Sequence, residues 1–362
     1  MPDSSSLNAA ERERRDELNE RLYDASRATL EVYSVHLGDR LGLYRALAEH
    51  GPLTADGLAG AAGIHPRYAR EWLEQQAVAG FLELDESGAE RRFVLPPGHA
   101  EALVDRDSLA YAAPMARAAV SVAAPLPQLI EAYRSGGGVP WSAYGADGRE
   151  AQADMNRVEF INRLGSEWLP AMPDVHARLR QAGARIADLA CGAGWSSIAM
   201  ARAYPEAIVD GFDLDDASIE LARATAAAEG VDGRVRFHVR DVSADERPGG
   251  YDLVTVFEAI HDMARPVEAL AAMRRLAEPG GTVLVVDERT NDELTVGDPH
   301  ERYLYGYSLF VCLPTGMNEE GSAATGTVMR AATFAGYARA AGFRDVEVLD
   351  IEHDAFRFYR LR

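Results

Sequence analysis

RIADLACGAGWSSIAMARAYPEAIVDGFDLDDASIELARATAAAEG, residues 185–230, decides the fold. It holds two short apolar runs, IADLA and AIVDGF, each followed by a stretch of helical spacing. Downstream, the runs RVRFHV, DLVTVF and TVLVVD continue the series, with the helical PVEALAAMRRLAE before the last. Short apolar runs alternating with helices are the pattern of a parallel sheet covered by helices on both faces. The tail RDVEVLDIEHDAFRFYRLR, residues 344–362, adds two strands joined by a short turn, hence an antiparallel edge pair. The expected class over 185–362 is α/β with a seven-stranded sheet.

Working back toward the start, residues 101–184 read as a largely helical bridge, interrupted by Gly136-Gly137-Gly138 and Pro140. Residues 1–100 read as a separate helical domain. Ala9 to Ala48 has helical spacing of Leu18, Leu22, Tyr23 and Leu30. Then come a Gly-Pro break, a short helix capped by Thr54, a third helix opened by Pro66, and a hairpin from Phe81–Leu84 and Arg92–Leu95. Helices followed by such a hairpin make a winged helix-turn-helix.

Composition excludes several chemistries. The chain has 362 residues, with 47% hydrophobic and 26% charged, so wholesale disorder is excluded and two domains are expected. The balance of 37 basic and 57 acidic residues gives −20, a surface that repels phosphate backbones. All 37 basic residues are Arg. Without Lys there is no P-loop and no Schiff base on Lys, pyridoxal phosphate enzymes included. Cys191 and Cys312 build neither a disulfide framework nor a zinc knuckle. The polar stretch Met1 to Ala10 does not read as a signal peptide, and no uncharged run reaches membrane-spanning length. A soluble, cytoplasmic protein is expected.

In an open α/β sheet, ligands sit beyond the carboxyl ends of the strands. Five successive strands deliver ionisable groups there: Asp188 before Ala190-Cys191-Gly192-Ala193-Gly194, then Asp213, Asp241, Glu258 with His261 and Asp262, and Asp287-Glu288. The glycine turn is not the dinucleotide fingerprint, because Trp195 intervenes and Ser197 stands where the third small residue belongs. Gly192 and Gly194 permit close backbone approach, and the helix that follows presents its N-terminus to a carboxylate. Asp213 suits both hydroxyls of a ribose, and Asp241 the exocyclic amine of an adenine. An amino-acid end, a ribose and an adenine without phosphate describe S-adenosylmethionine.

Residues 185–362 resemble a class I S-adenosylmethionine-dependent methyltransferase with a Rossmann-like sheet, in the segments DLACGAGWSS, VDGFDLDDASIELA, RVRFHVRD, YDLVTVFEAIHD and EPGGTVLVVDE. With the winged-helix front end, the chain is similar to actinobacterial and plant small-molecule O-methyltransferases that dimerise through that domain. The resemblance implies cofactor contacts from Asp188, Ala190, Gly192, Gly194, Trp195, Asp213, Leu214, Asp241, Val242 and Glu258, with S-adenosylhomocysteine as product. Ala190 departs from a family position that is often Gly. In FEAIHDM, His261 corresponds to the family's base, with Asp287 or Glu288 orienting its ring. Met155 and Asn156 fall in a helix like the family's pocket-closing helix. Tyr303, Tyr307, Phe310 and Met317 lie in the insertion that roofs the acceptor, a small molecule such as a natural product carrying a hydroxyl.

Three alternatives stay open at this level. A magnesium site could be built from Glu258 or Asp262 with Asp287 and Asn291, although metal-dependent relatives lack a winged helix, and none is expected here. A regulator could bind the cofactor and use the winged helix on DNA. However, Ile64–Asp85 carries Arg67 and Arg70 against Glu71, Glu74, Glu83 and Asp85, the wrong sign for phosphate. No nucleic-acid or membrane partner is therefore expected, and a homodimer is. Finally, relatives can turn the bound sulfonium to chemistry other than methyl transfer.

Overall fold

A computed structural model describes residues 7–241 and 249–362. It divides into two compact units, Met1–Val120 and Ser121–Arg362. The boundary falls inside the segment expected as a bridge, so helix Pro97–Val104 and all but the last residue of helix Ala113–Ser121 lie at the end of the first unit.

The first unit opens with helix Ala9–Arg40, capped by the Asn8 side chain on the Glu11 N–H. The continuous helix expected to Ala48 is broken at Gly42, whose φ of 67° leaves the right-handed helix, and a new helix runs Leu43–His50. Helices Ala55–Ala62 and Pro66–Val78 follow, started by Thr54 and by Pro66 as read from the sequence. Strands β1 (Glu83–Asp85) and β2 (Arg92–Val94) pair antiparallel as the wing. Leu43, Leu47, Leu58, Trp72, Leu73 and Phe93 form this unit's core.

The second unit is built on strands β3 (Arg185–Leu189), β4 (Ile208–Asp213), β5 (Val235–Val239), β6 (Tyr251–Phe257), β7 (Ala277–Glu288), β8 (Val346–Val348) and β9 (Phe356–Leu361). They form one seven-stranded sheet in the order β5-β4-β3-β6-β7-β9-β8. The first five are parallel, while β9 runs antiparallel to β7 and β8, the edge pair expected from the tail. Alternation divides the strands between two cores. Ile186, Val209, Leu253 and Leu284 face helices Trp195–Ala203 and Asp216–Ala228, whereas Ala187, Val254, Val256 and Val285 face Pro266–Leu276 and Ala331–Ala340. Burial on both faces explains why β6 is apolar almost throughout. Its exceptions are paired: Asp252 meets Arg178 at 2.6 Å, and Thr255 bonds inward to Asp188.

Order reverses between β3 and β6, so the chain leaves these neighbours toward opposite faces and opens a crevice at their carboxyl ends. Helix Gly145–Glu159 runs on into a π-helical segment, Phe160–Trp168, that packs against helix Trp195–Ala203. Gly165 permits that approach, since a Cβ there would stand 2.4 Å from the Ala203 Cβ.

Gly165→Leu should therefore destabilise the second unit by about 1–3 kcal/mol, the usual cost of forcing carbon into a packed contact. Calorimetric melting checks this, and Ala203→Gly in the same chain should recover part of the loss.

Candidate active site

The turn after β3 is shaped by backbone sign. Ala190, Gly192 and Gly194 have φ of 50°, 51° and 82°. Ala190 stands in the left-handed region, which an L-residue adopts at a cost of about 1–2 kcal/mol, so the departure from Gly is strained rather than excluded. Gly194 has no alternative, because its Cβ would fall 2.5 Å from the Phe237 ring.

Asp188 stands beneath this turn with no exposed surface. One carboxylate oxygen accepts from the Ser196 and Ser197 hydroxyls at 2.6 Å each, and the other from Thr255 Oγ1 at 2.8 Å. Burial pushes its pKa up, and the three hydroxyls oppose that rise. Asp188 therefore ties β3, β6 and the first turn of helix Trp195–Ala203 together from inside, with no face toward a ligand.

Asp213 closes the other side. Its carboxylate accepts from the Gly192 N–H at 2.8 Å and the Asp215 N–H at 2.9 Å. The Leu214 N–H bonds it as well, and since a carboxylate has about four acceptor positions its capacity is not used up. Leu214 beside it is 63% exposed, an apolar side chain left open next to a polar one. Asp215 caps helix Asp216–Ala228 through Ser218 and meets Arg149 at 2.8 Å. Asp241 lies two residues past the end of β5 and is exposed. Val242 lies outside the described residues. Trp195 is half-buried under the Arg157 guanidinium, 4.7 Å from its ring centre.

A second cluster forms where β6 and β7 end. His261 and Asp287 are both buried, with Nδ1 2.6 Å from Oδ1. Burial pulls the imidazole pKa down, but the Asp287 charge and the hydrogen bonds of Asp287 and Cys312 outweigh it and hold it well above the usual range. The other Asp287 oxygen is buried without a hydrogen-bond partner among the described residues. Of the two acids proposed to orient the ring, Asp287 is the one bonded to it, while Glu288 follows half-buried on the strand. Burial pushes the Glu258 and Glu288 carboxyls up, and the Asp287 charge adds to both, with Glu288 adding to Glu258. Glu258 has φ of 50° and lies 3.4 Å from Gln152 Nε2, which also donates to Asn156 Oδ1 at 3.1 Å. Met155 is half-buried on the same helix.

Helix Pro299–Tyr307 and the π-helical segment Ser308–Cys312 bring further residues here. The Tyr303 and Tyr307 rings lie 5.0 Å apart, tilted at 57° to each other, and burial with Glu288 and Glu258 nearby raises the Tyr303 hydroxyl. Tyr303 and Phe310 remain 49% and 42% exposed, so neither is a core residue, while Met317 is half-buried. Sequence reading missed Cys312 at the histidine, Arg149 at Asp215 and Gln152 at Glu258. Only the spacing of 149, 152 and 156 on one helical face carried a signal. No group of three or more His, Cys, Asp or Glu among the described residues is arranged to hold a metal ion.

Residues 180–304 match the family model of a methyltransferase domain, and residues 28–105 that of an Rv2258c-like winged HTH domain. The ubiquinone biosynthesis O-methyltransferase of Pseudomonas aeruginosa strain LESB58 is 32% identical over 136 residues, 38% of this chain and 55% of that protein. Its counterpart in Methylococcus capsulatus is 33% identical over 134 residues, 37% and 53% of the two chains. The chain thus spans about half the length of these curated relatives. Mitomycin 7-O-methyltransferase MmcR shares the fold at a TM-score of 0.67 and 22% identity, over 96% of this chain and 98% of that one. Human N-acetylserotonin methyltransferase, solved with SAM, does so at 0.68 and 17%, over 99% of each.

Since folding raises the His261 pKa, the stability it contributes is fully present below about pH 6.5, the usual imidazole value, and is lost as pH rises through the folded value. Asp287→Asn should lower the His261 titration midpoint seen by NMR and flatten that pH dependence of melting.

Proposed function

We propose that this chain, a methyltransferase domain behind a winged HTH domain, transfers a methyl group from S-adenosylmethionine to a hydroxyl of a small molecule such as a natural product. The observation that carries the reading is the pairing of two half-sites at one sheet edge. One is the Gly192–Asp213 turn, the other the His261–Asp287 pair. The first fits the cofactor by donor chemistry: Asp213 keeps acceptor capacity for a ribose diol, and exposed Leu214 offers an apolar face to adenine. Ala190, Gly192 and Gly194 line the amino-acid end, with Glu258 beside it. When bound, the sulfonium supplies an electrophilic methyl group.

The chain's own residues then have two tasks, alignment and removal of one proton. Asp287 fixes His261 Nδ1, which leaves Nε2 to take the acceptor's proton. The imidazolium that forms is stabilised by the same carboxylate. A raised imidazole pKa narrows the gap to a phenolic hydroxyl, near pH 10 in water, and so strengthens the base. Tyr303, Tyr307, Phe310 and Met317 wall the acceptor side, and the Cys312 thiol yields its hydrogen bond on His261 to the acceptor.

The homodimer belongs to this proposal. Leu18, Leu22, Leu30 and Leu37 on helix Ala9–Arg40 are each more than half exposed, an apolar stripe that a second copy would cover. The acidic balance of the wing supports a contact between proteins over one with DNA.

Titration calorimetry of the wild type should show binding of S-adenosylmethionine and S-adenosylhomocysteine. Asp213→Ala should weaken it about 100-fold, since two hydrogen bonds to a carboxylate are worth about 3 kcal/mol. Absence of binding by the wild type overturns the reading. His261→Ala should lose about 10²–10⁴ in turnover with cofactor affinity kept. Wild-type turnover should rise with pH above the usual imidazole range, because the base must first lose its proton.

A further inference from the structure

Helix Gly145–Glu159 meets three loops of the carboxyl edge with one set of side chains. Arg149 reaches Asp215 after β4, Gln152 reaches Glu258 after β6, and Arg157 covers Trp195 after β3. The arginine contact is the shortest of these, at 2.8 Å, with side chains only 16% and 21% exposed.

The local fold does not explain Arg149. Helix Asp216–Ala228 is already started by Asp215, which accepts from the Ser218 N–H at 3.0 Å and the Ser218 hydroxyl at 2.7 Å. What depends on Asp215 is Asp213. The Asp215 N–H is one of the backbone donors that orient its carboxylate, beside those of Gly192 and Leu214. The two acids also share a charge problem. Burial pushes the Asp213 carboxyl up, and the Asp215 charge adds to that rise. A cation on Asp215 offsets the addition and keeps Asp213 an acceptor.

We propose that Arg149 is a positioning residue for the cofactor: it anchors Asp215 from the covering helix and thereby holds Asp213 to receive the ribose hydroxyls. The proposal rests on the reading that Asp213 takes the ribose. It carries a kinetic corollary. A helix latched to three loops must let go of them before product leaves, so the latch slows release.

The experiment compares the full-length wild type with Arg149→Met, Arg149→Lys and Asp215→Asn. Calorimetry gives affinity for S-adenosylhomocysteine, and stopped-flow tryptophan fluorescence gives its release rate. Arg149→Met should weaken binding about tenfold and speed release correspondingly, as for a partly buried charge pair at a binding site. Its melting temperature should hold, and Arg149→Lys should recover part of the affinity. High salt should weaken the wild type more than Arg149→Met, and Asp215→Asn should add little to Arg149→Met in the double variant. If the wild type binds and Arg149→Met matches it in affinity and release, this inference alone is overturned. A variant that fails to fold, or loses affinity only in step with its melting temperature, makes the arginine structural and overturns it too. A wild type that binds neither nucleoside overturns this inference together with the reading beneath it.

Discussion

Asp188 is a carboxylate sealed from water and held by three hydroxyl groups. An ionised group in such a place costs several kcal/mol unless its lone pairs are met, and the donors come from two separate directions. Ser196 and Ser197 sit on the first turn of the helix that follows the glycine turn, and Thr255 sits on the neighbouring strand. Satisfying one charge therefore fixes the helix start, the turn and the β3–β6 seam at once. The Gly192 N–H is aimed from that turn at Asp213, and the rest of the edge is built outward from there.

Much of this was legible from residue order. Alternating apolar runs are enough to announce a sheet buried on both faces, and their ends name which side chains share its carboxyl edge. The helices before the wing were equally readable, because Thr54 and Pro66 mark helix starts by chemistry that acts within one turn. What failed was local in a different sense. Gly42 ends a helix that periodicity alone would carry through, since apolar spacing does not register the sign of φ. Asp188 belongs to the acidic row by position, yet it points inward, because two serines further along fold back onto it.

The contacts that escaped sequence reading are those made across long separations. Arg149 and Asp215 are 66 residues apart, and Gln152 and Glu258 are 106 apart. Each side is unremarkable alone: an arginine on a helix, an aspartate that caps one. Only packing brings them together, and spacing on a single chain says nothing of which helix covers which loop. The family resemblance set His261 beside Asp287 or Glu288, at the end of the neighbouring strand, and of the two it is Asp287 that bonds the ring. Cys312 was not foreseen there, because it arrives on an insertion outside the strand order.

Two π-helical segments, Phe160–Trp168 and Ser308–Cys312, belong to the helices that line this region. Each wide turn holds the equivalent of one residue more than an α-helix needs. Deleting that residue would close the wide turn to an ordinary α-helical one and leave the side chains on either side of it in phase. At these two places the chain's length can therefore change by one residue while the sheet, its carboxylates and the glycine turn stay as they are.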